Sequence, residues 1–159
     1  MKGDLKVIDY LNTALKLELT TVNQYFLHAR LFRHWGFHRL AKTEYDESID
    51  EMKHADELID RILFLEGLPN VQDLDKVYIG ENVKECLECD LRAEHRAHPL
   101  YREAIGYFET ARDYVSRELM ERILESEEEH IEFLETQLEL IGRIGEQLYM
   151  QAQMKKEEE

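Results

Sequence analysis

The chain contains few of the residues that break helices or cross-link loops. Its 159 residues include only two prolines, seven glycines and two cysteines. A fold with many strands and tight turns would use more proline and glycine, so the composition favours an all-helical protein. The two thiols, Cys86 and Cys89, form one C-x-x-C pattern, which is too little for a disulfide framework or a complete zinc site. We interpret both as reduced thiols without a functional role.

Long apolar runs and positive charge are also scarce. No stretch reaches the roughly 18 uncharged apolar residues of a membrane span, and the first residues, Met1–Asp4, do not begin a signal peptide. We therefore expect one cytoplasmic domain over residues 1–159 with no membrane partner. Lys and Arg number 20 against 35 Asp and Glu, giving a formal net charge of −15. This charge repels nucleic acid and suits a protein that gathers cations.

Apolar residues recur with helical spacing along most of the chain. The pattern predicts helices over about 5–34, 38–66, 82–112 and 114–144, with a short C-terminal helix over about 146–154. Very short links join the first helix to the second and the third to the fourth, so each pair should form an antiparallel hairpin. The connection over 67–81 is unusually long and, when extended, spans roughly 50 Å, about the length of a helix. Two hairpins joined by a long crossover predict an all-α, ferritin-like four-helix bundle.

A Glu-x-x-His pattern occurs on both the second and the fourth predicted helix. Glu51 and His54 are three residues apart, and Glu127 and His130 repeat this offset. Residues three apart project from the same face of a helix. Each pair therefore offers a carboxylate and an imidazole on one face, which is half of a metal site.

The first and third helices carry a carboxylate at matching places. Glu18 precedes Glu51 by 33 positions, and Glu94 precedes Glu127 by the same number. Four carboxylates in one core would repel each other unless cations lay between them. Oxygen and imidazole ligands together suit iron, manganese or zinc better than calcium. The pattern predicts a dinuclear metal site with bridging Glu51 and Glu127 and the full ligand set Glu18, Glu51, His54, Glu94, Glu127 and His130.

The alternative interpretation is that these residues are solvated charges on helix surfaces, which are common in an acidic chain. The equal spacing argues against it, as does the position of Glu18 among apolar neighbours, where an unpaired carboxylate would be costly. Tyr25 and Tyr101 each follow a predicted ligand, Glu18 or Glu94, by seven residues. We interpret Tyr25 as a neighbour of the metal site or a one-electron donor, whereas Tyr101 could equally belong to the core.

Several continuous segments resemble the bacterioferritin family. They cover nearly the whole chain and comprise Met1–Asp4, Asn23–Arg30, Glu47–Asp56, Arg61–Pro69, Asp113–Arg117 and the Glu127 to His130 motif. The resemblance implies a homo-oligomeric, hollow 24-mer built from two-fold dimers. It implies that the dinuclear site is a ferroxidase centre with two iron ions per subunit, which oxidises Fe(II) with O2 or H2O2. The ferric product would be stored as mineral inside the shell.

The resemblance also implies a haem b shared between two subunits, with Met52 of each as an axial ligand of its iron. It further implies a small ferredoxin as a partner for iron release. Independently, the second helix has another apolar stripe, turned away from Glu51 and His54, made of Tyr45, Ile49, Met52, Ile59 and Leu63. A helix with two apolar faces needs a second partner, which an isologous dimer would provide.

Two positions depart from these patterns: Asp46 from the resemblance, and Pro99 from the helical pattern. Bacterioferritins often carry His at the place of Asp46, where with Asp50 it can form an additional iron site. We interpret Asp46 and Asp50 as solvated acidic residues. Pro99 lies inside the third helix and predicts a kink or a π-bulge near Glu94.

Two other functions remain open at the level of sequence. The same dinuclear site would serve a rubrerythrin-like di-iron peroxidase, although that family usually adds a domain with two C-x-x-C pairs, and this chain has one pair. A metal-stabilised or metal-free helical scaffold, in which the six residues only hold structure, is the alternative from another class.

Overall fold

Five α-helices account for most of the chain, and the predicted all-α fold is confirmed. The structure is a computed structural model and describes residues 1–156. Its helices are α1 (Leu5–His34), α2 (His38–Phe64), α3 (Val83–Thr110), α4 (Tyr114–Ile144) and α5 (Glu146–Gln153). The described residues contain no strand. The predicted helix ends agree with these bounds to within two residues, while the last three residues of the predicted domain, 157–159, lie outside the described range.

Side-chain caps begin three of the long helices. Asp4 accepts hydrogen bonds from the N–H groups of Lys6 and Val7 at the start of α1. Asn82 and Asp113 likewise accept from backbone N–H groups in the first turns of α3 and α4. These bonds satisfy amide groups that have no partner within the helix. The caps explain why the sequence pattern located these helix ends closely.

The four long helices form two hairpins. The helices pack most extensively in the pairs α1 with α2 and α3 with α4, and α1 also packs on α3. The crossover between α2 and α3 runs beside α1 in the same direction. Successive side chains of α1 accept N–H groups of the crossover in the pairs Asn12 with Asn70, Thr20 with Asp75, Gln24 with Tyr78 and His28 with Gly80. From Asn12 to His28 this contact covers about 24 Å of helix, so the predicted long crossover is confirmed.

A polar layer separates two apolar halves of the bundle. One half contains Leu11, Leu15, Leu58, Ile62 and Phe108 among others. The other half, nearer α5, contains Phe32, Leu40, Leu87, Leu134 and Tyr149 among others. Between them lie buried polar side chains, defined here as the polar layer: Glu18, Gln24, His28, Glu44, Ser48, Glu51, Asp90, Glu94, Glu127 and His130. Such a concentration of buried charge requires compensating partners.

The backbone tests one further prediction, at Pro99. α3 remains α-helical from Val83 to Thr110 through Pro99, so a π-bulge at this proline is wrong; a kink stays a prediction. Within residues 1–156 no helix is both long enough and apolar enough to cross a membrane.

Candidate metal centre

His54 lies among three carboxylates from three helices. Its Nδ1 is 3.5 Å from Glu18 Oε2 and 3.7 Å from Glu127 Oε1. The distance to Glu51 Oε2, on the same helix, is 3.8 Å. One potential ligand atom of each of these four residues lies within 4.8 Å of the others. A single metal ion could contact all four side chains.

The remaining two predicted residues adjoin this group. His130 Nδ1 is 3.1 Å from Glu94 Oε1, and a potential ligand atom of His130 also lies within 4.8 Å of one of Glu51. Glu51 therefore links the two sides, because its potential ligand atoms belong both to the set with Glu18, His54 and Glu127 and to a set with His130. The structure brings all six sequence-predicted residues into one continuous group between the four long helices.

Several donor atoms of this group have no hydrogen-bond partner. They are Glu18 Oε2, His54 Nδ1, Glu94 Oε2, Glu127 Oε1 and His130 Nε2, all buried. Leaving such atoms unpaired costs about 1–3 kcal/mol each, and more when they are charged. Divalent cations would satisfy them, and mixed carboxylate and imidazole donors suit iron. The residues present therefore fit a pair of iron ions.

The ionisation of the group shows how strongly its charges interact. Burial, together with the charges of Glu18 and Glu94, raises the pKa of Glu127 well above its usual value. Burial opposes the charged form of His130, but hydrogen bonding and the charge of Glu94 outweigh it and raise its pKa to about 9. The same competition, with Glu18 as the carboxylate, raises the pKa of His54. Protons thus balance part of the negative charge, and metal ions would replace them.

Two buried tyrosines, one in each hairpin, orient the carboxylates of Glu94 and Glu18. Tyr25 of α1 donates its hydroxyl hydrogen bond to Glu94 of α3. Tyr101 of α3 donates to Glu18 Oε1 of α1 at 2.7 Å. Each hairpin thereby orients a carboxylate of the other. The matching seven-residue spacing in the sequence contained this signal, although it left Tyr101 open as a core residue.

Glu47 is a neighbour of the group that sequence reasoning missed. Its Oε2 is 3.9 Å from His130 Nδ1, and it forms a second potential metal-binding set with Glu51 and His130. Residues four apart share a helix face, so its position relative to Glu51 could have indicated it. Thr21 is a further neighbour, with its hydroxyl 3.4 Å from Glu51 Oε2.

Met52 lies on the other side of α2. Its side chain is 49% exposed, whereas the adjacent Glu51 is 2% exposed. Tyr45, Ile49 and Leu63 are exposed with it, but Ile59 is partly buried against the core. The apolar surface continues onto α1 through Phe26, whose ring centroid is 6.1 Å from that of Tyr45.

The other singled-out residues lie apart from the centre. Asp46 and Asp50 are exposed, and Asp46 pairs with Lys42 at 2.9 Å. Both cysteines are free and buried. Burial raises the pKa of Cys86 to about 12, which fits an unreactive, reduced thiol.

Comparison with known proteins gives one consistent result. The ferritin-like domain family matches residues 8–144. A bacterioferritin of Brucella melitensis is 54% identical over 151 residues, covering 95% of this chain and 94% of that protein. A bacterioferritin of Rhodobacter capsulatus is 53% identical over 147 residues, covering 92% and 91%. One of Streptomyces coelicolor is 48% identical over 150 residues, covering 94% and 90%.

Proposed function

The chain belongs to the bacterioferritin family of ferritin-like proteins, and on that premise we propose that it is an iron-storage ferroxidase. It oxidises Fe(II) to Fe(III) within each subunit and keeps the ferric product in a hollow shell. The observation that carries this proposal is the group of buried, unpartnered donor atoms on Glu18, His54, Glu94, Glu127 and His130. Family membership favours storage over the rubrerythrin-like peroxidase and the helical scaffold.

The proposed ligand roles follow from the helix on which each side chain lies. Glu51 and Glu127 would be shared between two iron ions as bridging ligands, and Glu18 and His54 would hold one of the ions. Glu94 and His130 would hold the other ion. Two divalent ions balance the formal charge of four carboxylates, which removes the repulsion within the polar layer.

Each bound Fe(II) supplies one electron for the reduction of O2 or H2O2. Residues of the chain bind and release protons at the same site. His130 and Glu127 hold protons where no cation is bound, as their raised pKa values indicate, and release them when iron binds. Tyr25 and Tyr101 keep Glu94 and Glu18 oriented toward the metal pair through their hydroxyl groups.

We further propose the assembly that the family resemblance implied. A homo-oligomeric 24-mer is built from two-fold dimers that cover the exposed apolar surface around Met52. Met52 of each of two subunits would hold a haem b shared between them, which would supply a redox-active iron. The exposed thioether and its exposed apolar neighbours, Tyr45 and Ile49, fit a flat apolar group of this kind. A small ferredoxin as the partner for iron release, and a cytoplasmic location, stay predictions.

Native mass measurement combined with aerobic iron loading tests the function. The proposal expects a very large assembly that retains far more iron than two ions per subunit. Glu94→Ala should slow iron oxidation strongly, because it removes a carboxylate from the centre, while Glu139→Ala on the exposed face of α4 serves as a control for surface charge. A monomer or dimer without a retained mineral core would contradict storage.

A further inference from the structure

A second set of buried charged side chains lies in the polar layer outside the six-residue group. It consists of His28 on α1, Glu44 on α2 and Asp90 on α3, and all three have no solvent exposure. Potential ligand atoms of the three lie within 4.8 Å of one another. Asp90 precedes Glu94 by one helical turn and Glu44 precedes Glu51 by two, so this set lies toward the α5 end of the bundle.

Hydrogen bonds fix His28 and one oxygen of Asp90. The N–H of Gly80 donates to His28 Nε2 at 3.1 Å, which places the imidazole proton on Nδ1. His28 Nδ1 therefore donates to Asp90 Oδ1, 2.8 Å away. Gln24 Nε2 donates to the same oxygen at 2.9 Å. His28 and Gln24 thus orient Asp90 and leave its other oxygen free.

Three carboxylate oxygens of this set have no hydrogen-bond partner. They are both oxygens of Glu44 and Oδ2 of Asp90. His28 Nδ1 is 3.8 Å from Glu44 Oε1, too far for a hydrogen bond. Two carboxylates without solvent are unstable unless a proton or a cation lies between them. Burial and the charge of Asp90 raise the pKa of Glu44 well above its usual value, because both disfavour a second negative charge at this place.

We propose that Glu44 and Asp90, oriented by His28 and Gln24, bind a third divalent metal ion in each subunit. The three free oxygens form an all-oxygen donor set, which favours a hard cation such as Mg²⁺ or Mn²⁺. One divalent ion would neutralise both carboxylates. The Nδ1–H of His28 already serves Asp90, so the imidazole positions a ligand and is not one itself.

This ion is separate from the ferroxidase pair because the two sets share no side chain. The third site lies between the six-residue group and α5, where the charge of Glu44 contributes to the raised pKa of Tyr149. The inference rests on the donor atoms of Glu44 and Asp90 and does not require the proposed function to hold.

Anaerobic Mn(II) binding to the assembled protein, stripped of metal, tests the site by difference. Wild type should bind one more Mn(II) per subunit than Glu44→Gln or Asp90→Asn. The matched control is Glu139→Gln, which removes the same charge from an exposed glutamate of α4 and should bind as many ions as wild type. Using two site variants keeps the test decisive if one of them does not fold.

Anomalous diffraction from crystals soaked in Mn(II) locates the ion directly. The expected result is a peak beside Glu44 and Asp90, distinct from those at the ferroxidase residues and absent in Glu44→Gln. Equal Mn(II) stoichiometry in wild type and both site variants, or no peak beside these carboxylates, would overturn the proposal and would assign the positive charge to a shared proton. Peaks at the ferroxidase residues alone would leave the proposed function intact.

Discussion

Single buried side chains determine how the metal centre is held together. Glu18 and Glu94 are both without solvent exposure, and each receives one hydroxyl hydrogen bond from a tyrosine of the other hairpin. A buried carboxylate depends on every donor around it, because water cannot replace a lost hydrogen bond. Tyr101 is therefore a positioning residue for Glu18, as Tyr25 is for Glu94.

Tyr101→Phe tests this at one atom. Removing the hydroxyl leaves Glu18 Oε1 without its donor, so we expect the assembled protein to lose about 1–3 kcal/mol of stability and to bind Co(II) less tightly at the centre. Tyr10→Phe is the control, because the Tyr10 hydroxyl donates a hydrogen bond to Glu103 at an exposed position. Chemical denaturation at a fixed protein concentration and Co(II) titration measure the two effects. Equal behaviour of the two variants would contradict the positioning role.

Metal affinity at the centre should rise with pH. The pKa of His130 is raised to about 9 from an ordinary value of about 6.5, so its imidazole is protonated at neutral pH and a cation must displace that proton. Competition by protons therefore weakens as the pH rises from about 6.5 toward 9. Co(II) titrations across this range should show increasing affinity in wild type and in the surface control Asp46→Asn. A pH-independent affinity would be inconsistent with a proton held at His130.

The helices and the crossover set the positions of these residues. Regular apolar spacing and the caps Asp4, Asn82 and Asp113 made the helices predictable, and the equal Glu-to-Glu spacing predicted which faces meet. The set of His28, Glu44 and Asp90 was not predictable in this way. Its members come from three helices with no repeated offset, and only the packed bundle brings them together.

The crossover depends on a close approach at Gly80. A Cβ atom there would lie 2.3 Å from the backbone nitrogen of Cys86, so Gly80→Ala must displace the crossover and break its bond to His28. We expect a loss of about 1–3 kcal/mol, as for other overpacked sites. Gly106→Ala on α3 meets nothing within 4 Å and should be neutral or stabilising by about 0.5–1 kcal/mol. Thermal unfolding measures the change in stability of both variants. An unchanged stability of Gly80→Ala would contradict the prediction, because it would show that the crossover can shift without cost.

At the scale of the whole molecule, α2 has two contrasting faces. Glu51 points into the bundle, while Met52 points out among exposed apolar side chains. Exposed apolar surface of this kind indicates an interaction site. The helical pattern predicted this division, because the apolar residues of α2 fall on two sides of the helix.

Met52→Leu tests the proposed haem site. Leucine keeps the apolar surface and removes the thioether, so we expect the haem absorption band to disappear while the shell remains assembled and still oxidises iron. Met154→Leu, at another exposed methionine, should keep the band. Absorption spectra together with size-exclusion chromatography give the answer. A haem band that survives in Met52→Leu would assign the axial ligand to another residue.

The polar layer has a mechanical consequence for each subunit. Helices usually open from their ends, since the terminal turns have the fewest contacts. Here the apolar halves secure the ends of the bundle, and the middle turns carry the unpartnered carboxylates. Stripping the metal ions should therefore let amide hydrogens around Glu51 and Glu127 exchange faster than those in the apolar halves. Each subunit would then open first at the polar layer in the middle of the bundle, and bound iron would suppress this local unfolding.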